Sequence, residues 1–336
     1  MAAQYAVTVT ALTALFIGGN GIISSAASAL AVARGIDLTL LNRGTDSTRP
    51  PAAGTRSVVG DADDPESMKR AIGEREFDVV VNFRSFVPSQ VEADVALYAG
   101  RVGQYVYISS ASAYQKPVGH LPITESTPLK NPFWQYSRDK IASEDVLVAA
   151  YRERDFPATI VRPSHTYDRT SIPLDGGWTV LDRMRRGKPT VVHGDGTSLW
   201  TLTHTTDFAK AFVGLLGNPA AIGDTFQITS DFVYTWNDIA ETLARAAGTE
   251  ADIVHVASDT LARAIPEWGP GILGDKAHSV VFDNRKVKAL VPDFSATVPF
   301  FDGAREIVDW YDANAHRRVV DAELDRRLDA LITATR

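Results

Sequence analysis

Tyr136 and Lys140 stand four residues apart in Asn131-Pro-Phe-Trp-Gln-Tyr136-Ser-Arg-Asp-Lys140-Ile-Ala-Ser-Glu144. On a helix that spacing puts both side chains on one face. A free phenol titrates near ~10, too high for a base at neutral pH. An ammonium one helical turn away is expected to favour the phenolate and lower that value. A phenol so tuned can take or give the proton of a secondary alcohol. A second set of hydroxyls, Ser109, Ser110 and Ser112, directly follows the apolar run 104–108. At the carboxyl end of a parallel strand, such groups face the crevice where ligands bind. The third element is Thr13-Ala-Leu-Phe-Ile-Gly18-Gly-Asn-Gly21-Ile-Ile-Ser24. An apolar run, a glycine-rich turn and small residues at helical spacing read as the strand–turn–helix that opens a dinucleotide-binding unit. Gly18 allows the tight turn. Gly21 leaves a pyrophosphate room at the helix N-terminus, where free N–H groups and the helix dipole favour anions. The third small position is Ser24 rather than glycine.

The elements that must position these groups follow in order. Gly35 closes the first helix and 37–41 makes strand two. Its end carries Asn42-Arg43-Gly44 where an acidic residue would hold the adenosine ribose. Replacing a carboxylate by a guanidinium favours a 2′-phosphate, so the expectation leans to NADP. The stretch 45–55, with Pro50, Pro51 and Gly54, lacks helical periodicity and reads as a loop crossover. Strand three, 56–59, ends in Gly60-Asp61-Ala62-Asp63. Asp61, beside Ala62, is a candidate acceptor for the adenine amino group. Asp61, Asp63 or Asp64 could equally cap a helix over 65–73. Strand four is 77–83, a helix spans 90–101, strand five is 104–108 and strand six is 158–161. Near-continuously apolar strands alternating with helices call for a parallel sheet covered on both faces. Beyond Ser171 the alternation becomes irregular: a helix from Trp178 to about Arg186, a turn at 191–196, a strand at 200–204, a helix at 206–216 capped by Thr206 or Asp207, a last sheet strand at 226–229, and helices at 236–247 and 323–333. Residues 1–12 read as an extension.

The 336 residues suit one large α/β domain or two unequal ones. An apolar fraction of 45% fits a globular enzyme with a sizeable core. The absence of cysteine excludes disulfides, thiolate metal sites and cysteine nucleophiles, and the scattered histidines carry no metal signature. A net charge of −7 argues against nucleic acid as the main partner. With no signal-like N-terminus and no apolar run of membrane-spanning length, a cytoplasmic protein without membrane partners is expected.

Taken together, Gly18-Gly-Asn-Gly21, Gly60-Asp61, Ile108-Ser-Ser-Ala-Ser-Ala-Tyr114, Tyr136-x-x-x-Lys140, Val161-Arg-Pro163, His204-Thr-Thr-Asp207-Phe-Ala and Asp283-Asn-Arg-Lys286 resemble the extended short-chain dehydrogenase/reductase superfamily, of the NAD-dependent epimerase/dehydratase type. The resemblance covers about residues 13–300. It implies an α/β fold, a Rossmann-like doubly wound parallel sheet. The expected NAD(P)-binding domain is 13–170, with 200–230 returning to it. A smaller substrate domain would comprise 171–199 and 231–336. It implies that Tyr136 is the general acid/base, with Lys140 its pKa partner and anchor of the nicotinamide ribose. Ser110 would hold the substrate oxygen, with Ser112 as the fallback. Further cofactor contacts are implied at Asn20, Ile22, Ile23, Phe83, Pro163, Ser164 and His165; His204 reads as structural. A homodimer through the helices at 90–101 and 134–155 is the family habit.

Family members acting on nucleoside-diphosphate sugars usually carry an arginine four residues before the histidine of His-x-x-Asp, and a second ahead of Asp-x-x-Lys. Here these positions hold Trp200 and the stretch Gly271–Asp275. Arg183, Arg185 and Arg186 are candidate replacements for the missing charge. Phe86, Trp134, Trp178 and Trp200 are candidates to line an aromatic substrate pocket. The expected activity is hydride transfer at a secondary hydroxyl or ketone of a small sugar-like or nucleoside-like molecule, epimerisation being placed ahead of net oxidation or reduction. The competing readings are a non-catalytic NADP sensor and an RNA-binding protein. The latter arises because the short crossover and Asn-Arg-Gly resemble the subgroup of the chloroplast stem-loop-binding proteins.

Overall fold

A computed structural model describes residues 11–44 and 48–336. The apolar runs assemble one seven-stranded sheet, every pairing parallel. Its strands are β1 (Thr13–Ile17), β2 (Asp37–Asn42), β3 (Arg56–Val59), β4 (Phe77–Asn82), β5 (Val102–Ile108), β6 (Ala158–Pro163) and, after four short strands, β11 (Thr225–Ile228). The spatial order is β11-β6-β5-β4-β1-β2-β3. The order reverses between β1 and β4, so a crevice opens beyond their carboxyl ends. Helices α1 (Ile22–Ala33), α2 (Pro65–Ile72), α3 (Pro88–Tyr98), α4 (Gln135–Arg154) and α6 (Thr205–Leu215) cover the two faces, α5 (Trp178–Arg185) lying elsewhere. One face packs Ala14, Phe16, Leu40, Val79, Val81 and Val106 with α1 and α6. The other packs Leu15, Ile17, Val80, Tyr105 and Tyr107 with α2, α3 and α4. Alternate residues of β1, Phe16 and Ile17, thus enter opposite cores, which is why the strands read as continuously apolar. No helix lies between β2 and β3 among the described residues; 45–47 of the expected loop, and 1–10 of the expected extension, lie outside them.

A third core gathers Tyr167, Trp178, Leu181, Trp200, Trp236, Ile239, Leu243, Phe300, Ile307 and Leu328. The 191–196 turn expected from sequence is instead a strand, β8 (Thr190–His193), followed by a turn. It pairs in parallel with β13 (Ile253–Val256). The single strand expected at 200–204 is two. Leu199–Trp200 (β9) pairs antiparallel with Tyr234–Thr235 (β12), while Leu202–His204 (β10) pairs in parallel with His165–Tyr167 (β7). The chain thereby leaves one pairing partner and joins another within three residues, which no alternation pattern encodes. Helix α6 is capped by His204, whose ring accepts from the Thr206 N–H, rather than by Thr206 or Asp207. Asp64 caps α2, accepting from the Glu66 N–H at 3.0 Å. Helix α7 (Trp236–Ala246) opens on a capping box between Thr235 and Asp238.

Candidate active site

The glycine turn sits at the switch point. Gly18 has φ +82°, a conformation costly for other residues. A Cβ there would lie 2.6 Å from Arg84 Cγ. Ser24, in the place of the third glycine, is fully buried. Its hydroxyl accepts from the Gly21 N–H at 2.7 Å and donates to the Gly18 carbonyl at 2.6 Å. The serine therefore ties the turn to the first turn of α1, a role that a packing argument for a small residue does not reveal.

Three cavities share walls along the carboxyl ends of the strands. The first, about 280 Å³, is lined by Gly18, Asn20, Gly21, Asn42, Arg43, Asp61, Ala62 and Arg84. The second, about 310 Å³, is bounded by Gly18, Gly21, Ile22, Ile23, Phe83, Arg84, Phe86, Ser110, Tyr136, Lys140, Pro163 and Ser164. The third, about 350 Å³, shares Ser110, Tyr136, Pro163 and Ser164 with the second and adds Ser112, Trp134, His165, Trp200, Thr201, Asp275, Lys276 and Phe282. The residues present fit a dinucleotide in the first two. Asn20 Oδ1 is buried on that wall with no hydrogen-bond partner among the described residues, a polar group that a ligand would satisfy. The N-terminus of the twelve-residue helix α1 also opens there. Arg43 is exposed at the first cavity.

Lys140 is 2% exposed. Its ammonium donates to the carbonyls of Ser85 at 2.7 Å and Ile108 at 2.8 Å. Burial pushes it down to about 7, opposed by Glu144 one turn further on. The loop that presents Ser85 is itself fixed by buried Asp94, whose Oδ2 accepts from Asn82 Nδ2 at 2.7 Å, Ser85 Oγ at 2.8 Å and the Tyr105 hydroxyl at 2.6 Å. Glu144 in turn accepts from Ser109 Oγ at 2.5 Å and pairs with Arg162 Nη2 at 2.5 Å.

Tyr136 faces Ser110. Burial raises the phenol above its ordinary value, the hydrogen bond from Ser110 works against that, and the Asp275 carboxylate adds to it. This corrects the expectation that Lys140 sets the phenol. The lysine Nζ lies 5.7 Å from the centre of the Tyr136 ring and gives two of its three ammonium N–H groups to carbonyls. Ser110 Oγ is 2.9 Å from Ser112 Oγ, which accepts from Ser137 Oγ at 2.8 Å. A relay of three hydroxyls thus ends at the tyrosine. Such a constellation can hold a substrate oxygen and exchange its proton.

Trp178 is not at the site: it stacks on Tyr311 at 5.0 Å in the third core. Phe86, expected at the substrate, lines the second cavity and not the third. His165, expected at the cofactor, lines the third cavity and neither of the first two. Its Nδ1 accepts from Trp200 Nε1 at 3.1 Å, and burial lowers it to about 4, so it is neutral. The three arginines offered as anion clamps are tied to carboxylates: Arg183 to Asp325 and Asp329, Arg185 to Asp312, Arg186 to Asp182 and Asp325. Sequence reasoning missed Arg84, which follows β4 and joins the first two cavities. It also missed Lys276 and Phe282, brought in by a distant turn. For Arg84 the signal was available: a cation directly after a parallel strand's carboxyl end.

The description "NAD dependent epimerase/dehydratase family" matches residues 14–229. Over 263 residues the chain is 27% identical to the 2'-dehydrokanamycin reductase of Streptomyces kanamyceticus, covering 76% of this chain and 72% of the other. It is also 27% identical to a chloroplast stem-loop binding protein of 41 kDa from Arabidopsis thaliana, covering 72% of this chain and 65% of the relative. Among solved structures, the epimerase Mth375 of Methanothermobacter thermautotrophicus superposes with a TM-score of 0.75 at 18% identity, covering 92% and 94% of the two chains. The dTDP-glucose 4,6-dehydratase of Bacillus anthracis, solved with NAD, gives 0.71 at 21% identity, covering 91% and 98%. These structures share the fold. With the family description spanning well over half its length, the chain belongs to the NAD-dependent epimerase/dehydratase family, as an NAD(P)-dependent enzyme of the extended short-chain dehydrogenase/reductase type.

Proposed function

We propose that the protein catalyses NADP-linked hydride transfer at a secondary hydroxyl or ketone carbon of a compact sugar-like molecule that lacks a diphosphate. The observation that carries this reading is the seam between the second and third cavities, where Ser110 and Tyr136 line both. When bound, the nicotinamide supplies or accepts the hydride. Tyr136 exchanges the carbinol proton, Ser110 holds the substrate oxygen, and Lys140 offers the ribose hydroxyls a donor beside Ser85 and Ile108. The preference for NADP rests on Arg43 at the first cavity. The compact substrate is supported by a volume of about 350 Å³, near the small end of ligand cavities, and by arginines committed elsewhere.

Epimerisation through an internal redox cycle follows from the family description. A second reading, net ketone reduction by NADPH, is favoured by Arg43 and by the likeness to a protein named as a reductase. Denaturing the purified protein and weighing any released dinucleotide separates them. Oxidised cofactor retained near one per chain supports the internal cycle; an empty protein that binds NADPH reversibly supports net reduction. If no dinucleotide is retained or bound, both readings fall.

Three further expectations belong to the same proposal. Residues 13–170 and 200–230 act as the cofactor unit, and 171–199 with 231–336 as the substrate unit, a division supported by the third core, most of whose members come from the latter ranges while Tyr167 and Trp200 join it from the former. Two copies pair through α3 and α4, which lie side by side, a pairing that light scattering tests directly. The protein works in the cytoplasm on a small molecule rather than on nucleic acid or a membrane; none of the described helices is long and apolar enough to cross one.

A further inference from the structure

The third cavity carries charge in an arrangement that the proposed chemistry does not use. Its wall opposite Tyr136 is a π-helical turn, Ile272–Lys276. Such turns are rare and concentrate at functional sites. This one is clamped from several sides. The Lys276 carbonyl faces His193 Nε2 at 2.9 Å and accepts from Ser198 Oγ at 3.1 Å and Trp236 Nε1 at 3.2 Å. The Gly274 carbonyl accepts from Asn131 Nδ2 at 2.7 Å. A Cβ on Gly274 would sit 2.8 Å from Trp134 Cβ, so glycine lets the turn close against the aromatic wall.

The turn delivers two charged side chains to the cavity, Asp275 and Lys276. Lys276 is held by Asp175 at 2.5 Å and is 16% exposed. Asp275 is backed by the fully buried Lys116, whose Nζ lies 3.0 Å from Oδ1. No hydrogen bond within the described residues uses Oδ2, and the side chain is 19% exposed. The cavity therefore has a carboxylate in its wall, together with Trp134 and within electrostatic reach of the Tyr136 phenol. The position is one where an arginine would have suited an anionic substrate.

We infer that Asp275 is a specificity residue that takes an ammonium group on the sugar-like substrate, so that the natural substrate class is an amino sugar rather than a neutral or phosphorylated one. The inference rests on the proposed redox site. A cation bound there also cancels the carboxylate's opposition to the phenolate, linking recognition to the acid/base step.

The test uses the protein saturated with NADPH and measures binding by calorimetry. The probes are glucosamine and galactosamine, against glucose, N-acetylglucosamine and glucose 6-phosphate. The variants are Asp275→Asn and, as an exposed control, Asp259→Asn. The expected result is tighter binding of the two amines by the native protein. Asp275→Asn should lose that preference by at least about tenfold, as expected for a charge-assisted hydrogen bond, while Asp259→Asn keeps it. Equal affinity for amines and N-acetylglucosamine, preferential binding of the phosphate ester, undiminished amine binding in Asp275→Asn, or no amine binding at all overturns the inference. The NADPH titration that precedes each run reports separately on the redox reading. Normal cofactor binding with no amine preference sinks the inference and leaves the cofactor site standing.

Discussion

Replacing Lys140 by methionine tests the electrostatics of the site without any substrate. Native Lys140 titrates near about 7 against 10.5 for a free lysine, because burial penalises its charge. Between those two values the unfolded chain holds a proton that the native chain has released. Native stability therefore rises with pH across that window. The penalty is complete below about 7 and is shed as pH climbs towards 10.5. At 2% exposure the group is scarcely screened, so each pH unit is worth roughly 1.4 kcal/mol, and two units about 2–3 kcal/mol. Methionine removes this titration. It also strips a donor from the Ser85 and Ile108 carbonyls, at roughly 1–3 kcal/mol for each one left unsatisfied. The absolute stability change at pH 7 is thus a balance of opposing terms, whereas the pH slope isolates the lysine. Urea denaturation of both proteins from pH 7 to 9 provides the measurement. The native protein should gain about 2–3 kcal/mol relative to Lys140→Met over that range. Parallel stability curves would show that Lys140 stays charged in the folded protein, refuting the argument from burial.

Tyr136→Phe should lower turnover of a confirmed substrate by about 10²–10⁴-fold while leaving NADPH binding intact; unchanged turnover removes Tyr136 from the chemistry. Arg43→Ala should weaken NADPH by about tenfold and NADH hardly at all, since only the former carries a 2′-phosphate for the guanidinium. Equal losses for both dinucleotides in a fluorescence titration would place Arg43 elsewhere on the ligand. Asp325 is held down to about 2 by Arg183, Lys188 and Arg186. Its contribution is present above the unfolded value of 3.8 and is lost as pH falls through about 2. Asp325→Asn should therefore cost about 2 kcal/mol at pH 7, a deficit that narrows in acid denaturation curves between pH 4 and 2.

Much of the seven-stranded sheet and its glycine turn was legible because the signals are local. The apolar run 13–17, the glycines at 18 and 21 and the small residues of α1 are neighbours in sequence and in space, so one stretch determines strand, turn and helix together. The same holds for Tyr136 and Lys140, whose four-residue spacing fixes a shared helix face, and for Arg43 at the end of β2. Local pattern also gave the parallel sheet, since strands buried on both faces must be apolar throughout. What the residues in contact do to one another was not local. Lys140 was expected to tune Tyr136 because it lies one turn away, but the fold brings it two backbone carbonyls from β5 and the β4 loop, and burial makes it a weak base. Ser24 looked like a tolerated substitute for glycine until its two hydrogen bonds to the turn appeared.

The irregular stretches beyond Ser171 depended on tertiary structure almost entirely. Trp178 and Trp200 are the same residue type in the same irregular stretch and share the third core, yet Trp178 packs on Tyr311 while Trp200 also lines the third cavity. Their separation is decided by β9 pairing with β12 while β10 joins β7, contacts made across 34 and 37 residues of chain. Asp275 reaches Tyr136 across more than a hundred residues because a π-helical turn is clamped by donors from β8 and α7. Sequence by itself determined the glycine turn, the parallel sheet and the shared helix face of Tyr136 and Lys140, whose physics is periodicity and backbone conformation over a few residues. Only the tertiary structure decided the charge and shape of the third cavity, because burial and long-range pairing set which side chains meet there.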